Sequence, residues 1–414
     1  MYYVIVDPSQ DYAFHMMQFL GGFGFKAIAV FSAPQEYHAW RFFGQKNLGH
    51  LVADEFLATE YPSLDAMAAR IHHDIPGEIV GIIPWAEFTT LFGAEVGAAL
   101  GIDWNPPEVI RCFRNKFAMK DALRAHGGVR INASRVVSSV EDAIDFVQQV
   151  GTWPIVVKPT EGAGSRAVTF AHSIEALIEG AQKVFHQGDG EILLEEFIGG
   201  IEYVCNGITD AQGQMLVTDV WVYDKRDVGP HKNIYFQTIK VSSFDPVWAP
   251  IARYATAVIH ALGLRKAPVH MELKVDERGP CMVEVGCRFA GGNQPLLASE
   301  LHGRSLFELA AVHYLGGGRV SWDDVHYDRY DARFARIISG VQTEHLHHVQ
   351  HLLGVEEVKR LPSFYGFGKL IPPGASVPVT SDLLSKSYEV YLFHTDPEQV
   401  EHDAHQVRRL LHYV

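Results

Sequence analysis

The sequence predicts a mixed fold: an N-terminal α/β part on a doubly wound parallel sheet, then an α+β part with an antiparallel sheet. Short β-branched runs alternating with helical apolar spacing carry the first half of that reading, and a series of strand-like runs beyond residue 190 carries the second.

In chain order, Tyr3 to Val6 is a first strand ended by Asp7-Pro8, and Tyr12 to Leu20 spaces its apolar residues as a helix does before Gly21-Gly22 stops it. Ala27 to Phe31 follows as a second strand. The order recurs through Leu51-Val52, a helix around Leu64 to Ile71 and a strand at Ile79 to Ile83, which implies parallel pairing with right-handed crossovers. A charged helix is expected over Asn115 to Ala125, and another over Ser139 to Val150, with Ser139 as N-cap and Asp142 three residues on. Two β runs between Ile155 and Phe170 flank Thr160-Glu161-Gly162-Ala163-Gly164-Ser165-Arg166, the pattern of a hairpin with a mobile loop at its tip. After a helix near Ile174 to Phe185 come strands at Ile192 to Phe197, Tyr203 to Thr209, Met215 to Tyr223, Val269 to Val275 and Cys281 to Val285. A helix from Leu306 to Tyr314 ends at Gly316-Gly317-Gly318, which reads as a hinge into the last region.

Composition narrows the functional classes. A chain of 414 residues, 47% of them apolar, can bury a large core and should divide into two to four domains. A formal net charge of -14 with scattered basic residues argues against nucleic acid as partner, because a phosphate backbone demands a basic surface. Cys112, Cys205, Cys281 and Cys287 form no CxxC pair, so reduced, buried thiols are expected rather than disulfides or structural zinc. The N-terminus lacks the basic and apolar regions of a signal peptide, and no apolar run approaches a membrane span, so a cytoplasmic protein without membrane contact is expected.

The chemistry gathers in four places. Lys158 ends the strand Pro154-Ile155-Val156-Val157-Lys158-Pro159; its ammonium can neutralise phosphate oxygens while Gly162 and Gly164 let backbone N–H groups approach them. The spacing does not fit the Walker or dinucleotide glycine patterns. Glu195-Glu196-Phe197-Ile198, with Glu202 seven residues after Glu195, offers acids for an adenine amino group and ribose hydroxyls, and backbone hydrogen bonds at Phe197 or Ile198. Glu272 and Glu284 lie on two strands joined by the turn at Asp276 to Gly279, where they can face each other across the ladder; such a carboxylate pair needs a cation, and its all-oxygen character suits Mg²⁺. Arg288 could grip a substrate carboxylate or the charge developing on a transferred phosphoryl group, with Gly291-Gly292 adding backbone donors. The cluster Glu344-His345-Leu346-His347-His348 with His351 reads as a solvated helix face.

Taken together, these residues resemble the ATP-grasp superfamily over roughly Arg114 to Asn293, with the preceding α/β region matching that family's N-terminal domain. The resemblance makes Lys116, in Arg114-Asn115-Lys116-Phe117, and Lys158 the two phosphate lysines, and Glu161 to Ser165 the closing loop. It makes Glu195, Glu196, Phe197, Ile198 and Glu202 the adenine and ribose hinge, and Glu272 and Glu284 the metal acids. Gly286 stands where many members carry an asparagine ligand, so a water or a bidentate Glu284 would complete the metal shell. His270-x-Glu272 followed by Glu284-x-x-x-Arg288-Phe289-Ala290-Gly291 looks most like the L-amino-acid ligase branch, which also draws attention to His231 in Gly229-Pro230-His231-Lys232-Asn233 as a histidine near the transferred phosphate.

The organisation this implies is an N-terminal α/β domain over residues 1–112, a lid subdomain over 113–190, an antiparallel core carrying the metal acids over 191–317 and a C-terminal subdomain over 318–414. The implied activity is ATP-dependent condensation of a carboxylic acid with an amine, a dipeptide from L-amino acids in this branch, through an acyl phosphate. ATP and Mg²⁺ (or Mn²⁺) are the implied cofactors, and a homodimer the implied assembly. A carboxylase or a ligase of the purine-biosynthesis type, using another acid or acceptor, is the alternative within the same fold, and a nucleotide-sensing protein that kept the fold is the alternative outside catalysis.

Overall fold

The computed structural model describes residues 1–8, 11–161, 168–186, 191–229, 231–316 and 321–414. Strands β1 (Tyr2–Val6), β2 (Lys26–Phe31), β3 (Val52–Leu57) and β4 (Ile79–Ile83) form an all-parallel sheet in the order β3-β2-β1-β4. β1 and β2 are almost continuously apolar because helices cover the sheet and leave those strands little contact with water.

A second four-stranded sheet contains β5 (Ser134–Val137), β6 (Ile155–Pro159), β7 (Thr169–Ala171) and β8 (Ile192–Glu196) in the antiparallel order β5-β8-β6-β7. Its helices, Val140–Val150 and Ile174–His186, bury Phe146 and Leu177 against Ile155, Val157 and Leu194, a small core of its own. Ser139 caps the first of them by accepting from Asp142 N at 3.1 Å. Because β8 sits in the middle of this sheet, the expected division at residue 190 runs through it, and the small subdomain extends to Glu196.

The largest sheet comprises β9 (Ile201–Thr209), β10 (Met215–Val228), β11 (His231–Lys240), β12 (Pro268–Asp276), β13 (Gly279–Gly286) and β14 (Phe334–Ser339). It is completed from the C-terminal region, where β15 (Leu352–Leu353) precedes β16 (Phe364–Leu370) and β17 (Tyr388–His394), and β18 (His412–Tyr413) pairs back with β15. The order β13-β12-β9-β10-β11-β14-β17-β16 is antiparallel throughout, so residues after 318 extend the same sheet rather than forming one of their own. The helix Pro397–Leu410 packs Val400, Ala404 and Val407 on β14 and β17. One apolar core runs from the parallel sheet into the large sheet, while the small sheet joins them through polar ties. Lys116 N donates to Thr160 O at 2.8 Å, and the Arg130 fork holds both oxygens of Asp276 at 2.7 Å.

Three expectations change. The segment around His231 is the start of a ten-residue strand, β11, which pairs antiparallel with β10 from Val228 opposite His231 onward. The histidine-rich stretch at 344–351 is irregular: a single bridge joins Leu346 to Val377, His348 has φ 53, and the His345 and His347 rings stack at 4.3 Å. Cys112 is half-buried whereas Cys205, Cys281 and Cys287 are buried, all four as free thiols. Of the expected glycine hinge, residues 317–320 lie outside the described residues. Among the described residues no helix is long and apolar enough to cross a membrane.

Candidate active site

The small sheet faces the large one across a cavity of about 990 Å³, at the upper end of ordinary ligand sites. One side of the cavity is built on a helix start and a strand end. Asn115 caps the helix Lys116–His126 by accepting from Phe117 N and Ala118 N, which fixes Lys116 at its first turn. Lys116 Nζ lies 3.0 Å from Glu284 Oε2, and Lys158, at the end of β6, lies 3.0 Å from Glu195 Oε2.

Glu195 has a second partner that the sequence did not single out. Lys120, four residues after Lys116 and so one turn along the same helix face, is wholly buried and donates to Glu195 Oε1 at 2.6 Å and to Asn132 Oδ1 at 2.7 Å. Burial pushes the Lys120 ammonium down to about 8 against the pull of Glu195. Burial works to raise Glu195, but Lys120 and Lys158 outweigh it and hold the carboxyl at about 2. Two lysines share one carboxylate, which leaves the cluster with an unbalanced positive charge beside the cavity. Glu195 is therefore bound to the lysines through its side chain, not free as an adenine acceptor.

Glu196 accepts from Ala133 N at 3.1 Å and meets Arg278 at 3.2 Å. Phe197 and Ile198 line the cavity, with Phe197 edge-on to Phe170 at 5.9 Å and under Lys274 Nζ at 4.8 Å. Gly199-Gly200 then turns the chain into β9: Gly200 has φ 82, and a side chain there would collide with Val275 O. Glu202 pairs with Lys225 and lies 4.0 Å from Lys274. Burial lowers Lys225, but Glu202 and Glu272 outweigh it and raise the ammonium overall.

Glu272 and Glu284 stand directly opposite each other across β12 and β13. A straight hairpin from the Asp276 and Gly279 pair would have set Glu272 against Val283 and turned Glu284 to the other face. The register instead shifts by one residue between Glu272 and Leu273, a bulge that puts Val283 and Glu284 together on the cavity wall. Burial raises Glu272, yet His270, with Nε2 3.8 Å away, and Lys225 hold its carboxyl below the usual range. Burial, then the charge of Arg288, lowers His270, whose Nδ1 bonds Asn206 at 2.8 Å. Two carboxylates facing each other on the wall are a donor set for a hard divalent cation; among the described residues no cluster of three or more metal-type side chains occurs, so other oxygens must complete any shell.

Arg288 reaches across to the N-terminal domain, where Glu87 bridges it to Arg114. Its Nη1 also donates to Phe289 O at 2.8 Å. Gly291 and Gly292 line the cavity, and Tyr391 OH accepts from Asn293 N at 2.9 Å. His231 does not line the cavity; Asn233, two residues along β11, does. Gly162, Gly164 and Ser165 lie outside the described residues. Besides Lys120, sequence reading missed Lys225, whose signal was its alternation with Tyr223 on β10.

Residues 151–295 match the ATP-grasp domain model, and the chain carries an ATP-grasp domain. It is 28% identical over 210 residues to dapdiamide A synthase of Enterobacter agglomerans, covering 49% of this chain and 48% of that one. It is 26% identical over 233 residues to the L-arginine-specific L-amino acid ligase of Bacillus subtilis, covering 55% of each. The chain thus spans about half the length of the curated relatives it matches. In three dimensions it resembles the L-amino acid ligase from Bacillus licheniformis with a TM-score of 0.76, covering 100% of this chain and 98% of that one at 18% identity.

Proposed function

We propose that the protein is an ATP-dependent carboxylate–amine ligase that joins two L-amino acids into a dipeptide and releases ADP and phosphate. The observation that carries this reading is the facing of Lys116 and Lys158 with Glu272 and Glu284 in one cavity. Phosphoryl transfer asks for positioning and charge neutralisation more than covalent chemistry, and lysines opposite a divalent-cation site supply both. The dipeptide product is suggested by the relatives, which are amino-acid ligases by name.

In this reading Lys116 and Lys158 hold the nucleotide phosphates, and the positive excess of the Lys120-Glu195-Lys158 cluster favours them there. Phe197 and Ile198 offer backbone groups to the adenine, with Glu196 and Glu202 at the ribose side. Glu272 and Glu284 hold Mg²⁺, which Mn²⁺ can replace; bound there it neutralises phosphate charge. Arg288, steadied by Glu87, faces the oxygens of the reacting carboxylate. The acid's carboxylate oxygen attacks the γ-phosphorus with loss of ADP, then the amine nitrogen attacks the acyl carbon with loss of phosphate.

The test is phosphate release from MgATP across pairs of the twenty L-amino acids, with mass detection of products. A product weighing two amino acids less one water supports the reading. Turnover that depends on bicarbonate instead supports a carboxylase, and nucleotide binding without ADP formation under any condition overturns catalysis.

A further inference from the structure

Beyond the phosphate and metal walls, the cavity continues into an aromatic pouch between the N-terminal domain and the start of the helix Gln294–His302. Phe289, next to Arg288, packs edge-on to Phe307 at 4.7 Å and to Trp85 at 5.8 Å, and His15 stacks on Phe307 at 5.2 Å. Three buried polar atoms on residues that line this wall lack hydrogen-bond partners among the described residues: Tyr12 OH, Trp85 Nε1 and Gln294 Nε2, on residues 7%, 1% and 5% exposed. A buried polar group left unpaired is costly, so a fold that keeps three of them on residues lining one cavity has a use for them.

We infer that this pouch selects the acid substrate: an L-amino acid whose side chain is flat, uncharged and ends in a hydrogen-bond acceptor. The inference rests on the ligase reading and specifies its substrate class. An indole N–H only donates, and so does the Gln294 amide nitrogen, so each of these two takes an acceptor, to which the Tyr12 hydroxyl can donate as well. The ring faces favour a planar group, with centroids 4.5–7 Å apart by ordinary aromatic packing. A cationic side chain finds the nearby carboxylate, Glu87, already bound to Arg114 and Arg288. The pouch serves the acid rather than the amine because Phe289 follows Arg288 directly and is joined to it by the Nη1 bond to its own carbonyl. A substrate whose carboxylate lies at Arg288 therefore lays its side chain over Phe289.

The experiment compares L-tyrosine with L-phenylalanine, and L-glutamine with L-methionine and L-lysine, as acid donors to the full-length protein, reading ADP formation and locating each residue in the product by fragmentation. The wild type should favour the acceptor-bearing member of each pair by about 10- to 100-fold in kcat/KM. Trp85→Phe and Gln294→Met should each raise KM for tyrosine or glutamine about tenfold and leave phenylalanine and methionine within about twofold. Gln294→Met is close in shape and keeps the test valid if Trp85→Phe folds poorly. A preference for lysine, a preference confined to the amine position, or an equal effect of both variants on every acid overturns the inference. Calorimetric titration of the same amino acids with Mg²⁺ and a non-hydrolysable ATP analogue separates the two readings. Tyrosine or glutamine binding that Gln294→Met weakens, without ADP formation from ATP, keeps the pouch and refutes the ligase; ADP formation with no discrimination does the reverse, and no binding of any amino acid overturns the pouch.

Discussion

Replacing Glu195 by Gln removes the one carboxylate shared by Lys120 and Lys158 while keeping its shape. Glu195 is 3% exposed, Lys120 not at all, and the contacts are 2.6 and 3.0 Å, so the substitution leaves two buried ammonium groups against a neutral amide. Breaking a buried ion pair on one side costs about 3–5 kcal/mol. The pKa displacement of Glu195 gives a consistent figure: lowering a carboxyl from 4.5 to about 2 is worth about 3 kcal/mol at neutral pH. The folded value is depressed, so this stability is present above pH 4.5 and is lost as pH falls towards 2. Because the small sheet has its own core, the readout is local: hydrogen exchange of amides in β5, β6 and β8, which report that unit's opening rather than global unfolding. Glu195→Gln should accelerate exchange there by the equivalent of about 3 kcal/mol or more at pH 7, and the difference from wild type should shrink between pH 4.5 and 2. A change below about 1 kcal/mol, or a difference that does not depend on pH in that window, would refute the account of the cluster.

Glu284→Ala should lower ADP formation by at least about 100-fold, since it removes one of two facing metal acids; near-normal turnover in Mg²⁺ would sink the assignment. Lys158→Ala should raise the apparent KM for ATP by about 10- to 100-fold, the range of one charge-assisted hydrogen bond, and an unchanged KM would remove it from the phosphate site. Gly200→Ala should destabilise by more than about 2 kcal/mol, because its left-handed backbone and the nearness of Val275 O both exclude a side chain; an unchanged thermal midpoint would contradict this.

Much of this was legible because local chemistry dictated it. The β-branched runs of β1 and β2 announce a parallel sheet, as strands covered on both faces cannot alternate. Lys158 was singled out from its place at a strand end, whereas Lys116 was singled out by the family resemblance. Lys120 acts through a residue 75 positions away, and nothing local marks it for a partner at such a distance. For the same reason β8 was assigned to the wrong side of a boundary: its sequence reads as a strand, but which sheet it joins depends on β5 and β6. The family resemblance alone put His231 in a loop, whereas β10 continues through its own register shifts to pair with it.

Glu272 and Glu284 show how a facing pair can rest on a feature the pattern hides. Counting outward from the turn at Asp276 and Gly279, alternation alone sends Glu272 and Glu284 to opposite faces, so the expectation that they meet requires one extra residue on β13. Val283 is that residue. A bulge costs a ladder hydrogen bond and bends the strand, and it persists here at the point where two carboxylates must share one wall. The strand that carries Glu284 leads two residues past its end to Arg288, which binds Glu87, and then to Phe289 at the aromatic wall. The one irregularity in β13 therefore decides which face Glu284 takes, and without it Glu272 would stand opposite Val283.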